Sequence, residues 1–135
     1  MDRMAAPDWN GERMTRALIV DDEEDMRFLV RAVIEAANHG LAVAGEAENG
    51  VEAIERWRAF RPEVVVLDQR MPGMSGLEVA AEILAEHPEQ PIILFSAYLD
   101  EEMTEAATRL GVELCMAKSE YGRLPEALWR LAPPA

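Results

Sequence analysis

Cysteine is nearly absent from this 135-residue chain: Cys115 stands alone, which rules out an intrachain disulfide and a cysteine-based zinc site. Histidine is almost as scarce, and His39 and His87 are too far apart for metal-ligand spacing; both read as surface residues. Bases are outnumbered, with 13 Lys and Arg against 26 Asp and Glu, for a formal net charge of −13. That sign argues against nucleic acid or an anionic membrane as the direct partner, because both need clustered cations, and it suits binding a cation. No apolar run approaches the ~20 residues of a membrane span. Residues 1–14 lack the apolar core of a signal peptide. These absences lead to the expectation of a soluble cytoplasmic protein.

What is present is a core. Half of the residues are apolar, enough for one compact domain of the usual ~100–150 residues. The most informative stretch is Val64-Val65-Val66-Leu67-Asp68, an apolar, β-branched run that ends on a carboxylate. A run without polar alternation reads as a parallel strand covered on both faces. Turn chemistry follows at once in Gln69-Arg70-Met71-Pro72-Gly73. Ligands of open parallel sheets bind at the carboxyl ends of strands, which is where Asp68 sits.

The rest of the chain repeats this grammar. Ala17 to Val20 reads as a strand, followed by Asp21-Asp22-Glu23-Glu24-Asp25 and a helix marked by Met26, Leu29, Val30, Val33, Ile34 and Ala37. Asn38-His39-Gly40 stops that helix. Leu41 to Ala47 is a weaker strand, interrupted by Gly45, and Asn49-Gly50 opens a helix in which Val51, Ile54 and Trp57 are expected to share a face. Arg61-Pro62 closes it. Ser75 is the expected N-cap of a third helix marked by Leu77, Ala80, Ala81 and Leu84. Ile92 to Phe95 is the next strand, ending on Ser96-Ala97. Met103, Ala106, Ala107 and Leu110 mark a fourth helix that Gly111 ends, Val112 to Ala117 a fifth strand that ends on Lys118, and Pro125 the start of a last helix. Residues 1–15 show no period and read as a mobile or loosely docked extension, 16–132 as the folded domain, and 133–135 as a tail. Strands alternating with helices predict an α/β fold with a mainly parallel sheet covered on both faces.

Polar groups then converge. Asp21 and Asp22, Asp68, Ser96 and Lys118 each follow a strand, and parallel strands bring these ends to one edge. Two unit charges 4 Å apart interact by ~4 kcal/mol at an effective dielectric of 20, and one lysine cannot neutralise three carboxylates. Either one carboxyl stays protonated or a cation binds. Hard oxygen ligands suit Mg²⁺. An ammonium and a hydroxyl are what a transferring phosphoryl group needs, and a carboxylate beside them can act as nucleophile. Glu23, Glu24 and Asp25 are better read as an acidic first helical turn facing the helix dipole.

In Leu18-Ile19-Val20-Asp21-Asp22-Glu23, Val66-Leu67-Asp68 with Met71-Pro72-Gly73, Ser96-Ala97, and Lys118 seven residues after Gly111, the sequence resembles the receiver domain of two-component response regulators. The resemblance runs from Arg16 to about Leu131. Each piece is weak alone; in this order and spacing they are specific. The family implies a flavodoxin-like doubly wound five-stranded parallel sheet of order 2-1-3-4-5 with helices on both faces. It implies that Asp68 accepts a phosphoryl group from a phosphohistidine on a sensor histidine kinase or histidine phosphotransfer protein. Asp22 would ligate Mg²⁺ (Mn²⁺ as the alternative ion) directly and Asp21 through water, with Asp68 and the backbone carbonyl of Arg70 completing the protein ligands. Lys118, Ser96 and the Ala97 N–H would hold the phosphoryl group, and Arg70 and Tyr98 flank the site where water enters. Gln69 is not expected to do chemistry. Without an effector domain after Ala135, output is expected through contact with a downstream protein or onward phosphotransfer.

Two positions depart from the family. Ser119 follows the lysine where Pro is usual, and Cys115 stands where an aromatic switch residue is usual. Other classes fit less well. Asp-nucleophile phosphatases need a second carboxylate where Arg70 stands. Receiver-shaped modules that are never phosphorylated usually lack part of the set found here. FMN-binding flavodoxins lead from the first strand into a hydroxyl- and Gly-rich loop, not Asp-Asp.

Overall fold

The structure, a computed structural model, describes residues 8–9, 12–37 and 39–134. Its main elements are β1 (Thr15–Val20), α1 (Glu24–Ala37), β2 (Leu41–Ala47), α2 (Gly50–Phe60), β3 (Val64–Leu67), α3 (Gly76–Glu86), β4 (Ile92–Ser96), α4 (Glu101–Leu110), β5 (Leu114–Ala117) and α5 (Leu124–Leu131). The sheet is parallel throughout, in the order β2-β1-β3-β4-β5, the doubly wound flavodoxin-like arrangement.

The apolar run of β3 divides between two cores, which is why it shows no alternation. Val65 and Leu67 join Leu18, Val20, Ile92 and Leu94 beneath α2, α3 and α4. Val64 and Val66 join Ile19, Ile93 and Phe95 beneath α1 and α5. Strand side chains alternate between faces, and here both faces are dry.

Several details differ from the sequence reading. Asp8–Trp9 and Glu12–Arg13 form a short antiparallel pair where no period was visible, whereas residues 1–7, Asn38 of the first helix stop and Ala135 lie outside the described residues. β1 begins at Thr15, which is buried and whose hydroxyl donates to the Ala132 carbonyl. In α2 the inner face is Gly50, Ala53, Ile54 and Trp57, and Val51 is 62% exposed, because positions 53, 54 and 57 follow the helical repeat more closely than 51, 54 and 57. β5 is shorter than Val112 to Ala117. The Val112 N–H donates to the Ala107 carbonyl at 3.0 Å in the hook that ends α4, so it is unavailable to the sheet. Lys118–Arg123, read as a loop, forms a 3₁₀ turn, and α5 follows it with Pro125 in its first turn.

Other expectations are met in detail. Asn49 caps α2 and Ser75 caps α3, the latter with a reciprocal bond from the Ser75 N–H to Glu78 at 2.8 Å. At Gly45, expected to interrupt β2, the register against β1 shifts, with Ala17 opposite Val43 and Leu18 opposite Gly45, and the Phe60 ring lies where a Cβ would be. His39 and His87 are exposed. Among the described residues no helix is long and apolar enough to cross a membrane.

Candidate functional site

The site is built where β1, β3, β4 and β5 end. The Asp68 N–H donates to the Val20 carbonyl at 2.9 Å, and the Asp21 N–H donates to the Ala47 carbonyl at 3.0 Å, so the sheet's last bonds carry both carboxylates to its edge. Asp21 is buried. One of its oxygens accepts from the Glu23 N–H at 2.9 Å, and Arg27 donates to its backbone carbonyl at 2.8 Å. Asp22, the next residue, points into water.

Lys118 reaches back from the end of β5. Its Nζ lies 2.7 Å from an Asp21 oxygen and 3.3 Å from an Asp68 oxygen. One ammonium is thus shared by two buried carboxylates, and the nearer partner is Asp21. Carboxylate oxygens of Asp21, Asp22 and Asp68 all lie within 4.8 Å of one another. Burial pushes the Asp68 carboxyl up from 3.8 to about 6; the charge of Asp21 adds to the rise and Lys118 only partly offsets it. Burial works against the Lys118 ammonium too, but the hydrogen bond and charge of Asp21, joined by Asp68, outweigh it and hold that group above its ordinary value. The cluster is electrostatically frustrated, and an added cation is what such a donor set accommodates.

A pocket of about 210 Å³ opens over Asp68, lined also by Asp22, Arg70, Ser96, Ala97, Tyr98 and Lys118. Ser96 is buried, but its hydroxyl is engaged locally: it donates to the Tyr98 carbonyl at 3.2 Å and accepts from the Tyr98 N–H at 3.4 Å. At the mouth, the Arg70 guanidinium stacks over the Tyr98 ring, 5.2 Å from its centroid. Cys115 is half-buried on β5, where burial pushes its thiol up and leaves it a small apolar residue.

All the residues singled out from sequence therefore share one edge. Sequence reasoning missed those that hold the edge in shape. Gly76, at the head of α3, abuts the Asp68 backbone carbonyl, and a Cβ there would collide with it. Gln69 turns its side chain away from the pocket and accepts from the Leu77 N–H at 2.8 Å, while its carbonyl accepts from the Gly76 N–H at 2.9 Å. The available signal was a glycine directly after a good N-cap, where helix propensity disfavours it.

Comparison with known proteins agrees with this geometry. Residues 17–128 match the family model of the response regulator receiver domain. The chemotaxis protein CheY of Thermotoga maritima is 38% identical over 114 residues, covering 84% of this chain and 93% of that protein. The chemotaxis protein CheY of Listeria monocytogenes is 35% identical over 120 residues, covering 88% and 99%. Among solved structures, the response regulator domain of Thermotoga maritima CheB superposes with a TM-score of 0.78 at 28% identity, covering 88% of this chain and 94% of that one. A LuxR-family two-component response regulator from Aurantimonas sp. SI85-9A1 gives 0.82 at 28% identity, covering 87% and 84%. With its sheet order, its acidic edge and its lysine accounted for, the chain belongs to the family of response regulator receiver domains.

Proposed function

We propose that this protein is a phosphoacceptor switch in which Asp68 takes a phosphoryl group from a phosphohistidine on a sensor kinase or histidine phosphotransfer protein, and that the phosphorylated form changes its contacts with a downstream protein. The observation that carries this reading is the buried Asp68 carboxylate at the end of β3, within 3.3 Å of Lys118 and beside Asp21 and Asp22. A carboxyl with its proton affinity raised to about 6 is still ionised at neutral pH and is a better nucleophile than an ordinary one. An Asp68 oxygen attacks phosphorus, the P–N bond breaks as the P–O bond forms, and the departing imidazole keeps the electron pair and takes a proton.

Asp21, Asp22 and Asp68, with the Arg70 backbone carbonyl, are the groups that would hold Mg²⁺ or Mn²⁺, and their all-oxygen character fits either ion. The bound ion supplies positive charge against the carboxylates and the phosphoryl oxygens. Lys118 is placed to exchange its Asp68 contact for a phosphoryl oxygen while keeping Asp21. Ser96 and the Ala97 N–H take the remaining oxygens, and to do so the Ser96 hydroxyl must leave the Tyr98 carbonyl. That exchange, rather than rotation of the small Cys115, moves the loop. A beryllofluoride mimic is therefore expected to shift the amide resonances of residues 96–102 and 118–122 more than that of Cys115. The stacked Arg70 and Tyr98 cover the mouth through which hydrolytic water reaches the acyl phosphate. We take 15–132 as the phosphoacceptor unit, since Thr15 opens β1, with 1–14 before it and 133–135 after it, working in the cytoplasm without nucleic acid or membrane as direct partner.

The test is intact-mass measurement after incubation with acetyl phosphate and Mg²⁺. One acid-labile phosphoryl group is expected on the wild type and none on Asp68→Asn or on wild type with excess chelator. Equal labelling of wild type and Asp68→Asn would overturn the assignment.

A further inference from the structure

A second cavity lies at the other end of the sheet. It has a volume of about 350 Å³ and sits between the C-terminal turns of α2 and α3. Pro62, on its wall, precedes β3, and Asp68 follows that strand, so roughly 20 Å of extended chain separates it from the phosphorylation site. Nothing in the proposed phosphotransfer uses it.

Its floor is buried and internally hydrogen-bonded. Trp57 and Pro62 are buried there, and the indole N–H donates to Gln90 Oε1 at 2.8 Å. The Gln90 amide in turn donates to the carbonyls of Glu63, at 3.2 Å, and Pro91, at 3.0 Å. The polar groups of the floor are thus consumed internally. Across one side Arg58 pairs with Glu86, joining the two helices. On the rim stand Arg61 and His87, and neither side chain makes a hydrogen bond or ion pair among the described residues. Arg61 occupies a left-handed C-cap with φ 49°, a position that favours Gly or Asn. With Arg58 and Glu86 paired, Arg61 is the unpaired formal charge on the cavity's lining, on a protein whose net charge is −13.

We propose that this cavity binds a small organic oxyanion, a carboxylate or phosphate monoester on a planar apolar body, with the body on Trp57 and Pro62 and the charge on Arg61. The cavity's volume lies within the ~300–1,000 Å³ usual for small-molecule sites, with an apolar floor under a polar rim. The planar guanidinium matches an oxyanion with two parallel hydrogen bonds. A single anionic group needs only the unpaired Arg61 guanidinium beside the Arg58–Glu86 pair.

The test is a ¹H–¹⁵N titration of the full chain with benzoate, phenyl phosphate, acetate and inorganic phosphate, with the Trp57 indole signal identified by its loss in Trp57→Phe. Benzoate or phenyl phosphate is expected to shift the Trp57 indole and the Gln90 and Arg61 amides saturably, at a midpoint at least about fivefold below that of acetate or inorganic phosphate. Arg61→Gly suits the left-handed backbone and so keeps the fold; it should raise the midpoint by about tenfold or more, and Arg61→Lys by less. The assignment is overturned by any of three results: no saturable shift up to about 20 mM of the aromatic anions, equal midpoints for aromatic and simple anions, or Arg61→Gly binding within about twofold of wild type.

Discussion

The two ends of the sheet are built on opposite principles. At the amino end, the buried hydrogen bonds and ion pairs are closed, and the unpaired side chains of Arg61 and His87 lie on the exposed rim. Arg16 forks onto Glu63 at 3.1 Å and onto the carbonyls of Phe60 and Arg61 at 2.9 and 2.6 Å, and Gln90 stitches Trp57 to the Glu63 and Pro91 carbonyls. At the carboxyl end, two buried carboxylates share one ammonium with a third carboxylate beside them, and the Asp68 carboxyl is pushed up to about 6. Buried side-chain polar atoms among the described residues all have partners, so the ends differ in charge balance and not in hydrogen-bond satisfaction. One end holds α2, α3 and the sheet together; the other stores repulsion that a cation or a phosphoryl transfer relieves.

The largest effect should come from forcing the carboxyl end apart. Gly76→Ala places a methyl against the Asp68 carbonyl, and backbone cannot step aside as a flexible side chain can. A loss of about 3 kcal/mol in urea unfolding is expected, together with slower labelling of Asp68 by acetyl phosphate. A neutral Gly76→Ala would show that α3 does not brace the site.

Next in size is the stored repulsion. Because the folded Asp68 carboxyl titrates near 6 rather than 3.8, the native state binds more protons than the unfolded state between those values. Stability is therefore lost as pH rises through that window, and stays lost above it. The full linkage is ~3 kcal/mol. Asp68→Asn, in the absence of Mg²⁺, should be more stable than wild type by that amount at pH 8 and equal to it below about pH 4. Urea midpoints across this range decide the sign, and a less stable Asp68→Asn at pH 8 breaks the comparison.

The amino end should answer with the reverse sign. Trp57→Phe leaves the buried Gln90 oxygen without its indole donor, for an expected loss of about 1 kcal/mol that is independent of pH between 5 and 8. Smallest of all is Val51→Ser. Since Val51 is 62% exposed on α2, a change within ~0.5 kcal/mol is expected, whereas Ile54→Ser on the buried face should cost several times more.

Much of the architecture was legible before any coordinates. The apolar runs ending on Asp21, Asp68, Ser96 and Lys118 placed strands, and the turn at Asn49-Gly50 and the cap at Ser75 placed helix starts, because these are local properties of the chain. The errors fell where a residue's role depends on partners outside its own element. Val51 looked apolar enough for the core, but helix rotation is set by the packing of Ala53, Ile54 and Trp57. Val112 looked like strand, but the end of α4 claimed its N–H first. α4 itself buries only Ala107 completely, and Leu110, expected inside, is 38% exposed.

From sequence alone it followed that Asp21, Asp22, Asp68, Ser96 and Lys118 meet, because parallel strands share a carboxyl edge whatever their order. How they meet required the tertiary structure. Lys118 lies closer to Asp21 than to Asp68, Ser96 is turned to the Tyr98 carbonyl, and Arg70 stacks on Tyr98. These choices are made within a few ångströms by side chains that are remote in the chain, and no local pattern encodes them. The same holds for the cavity of Trp57, Arg61 and His87, whose residues come from two helix ends that only the packing of α2 against α3 brings together.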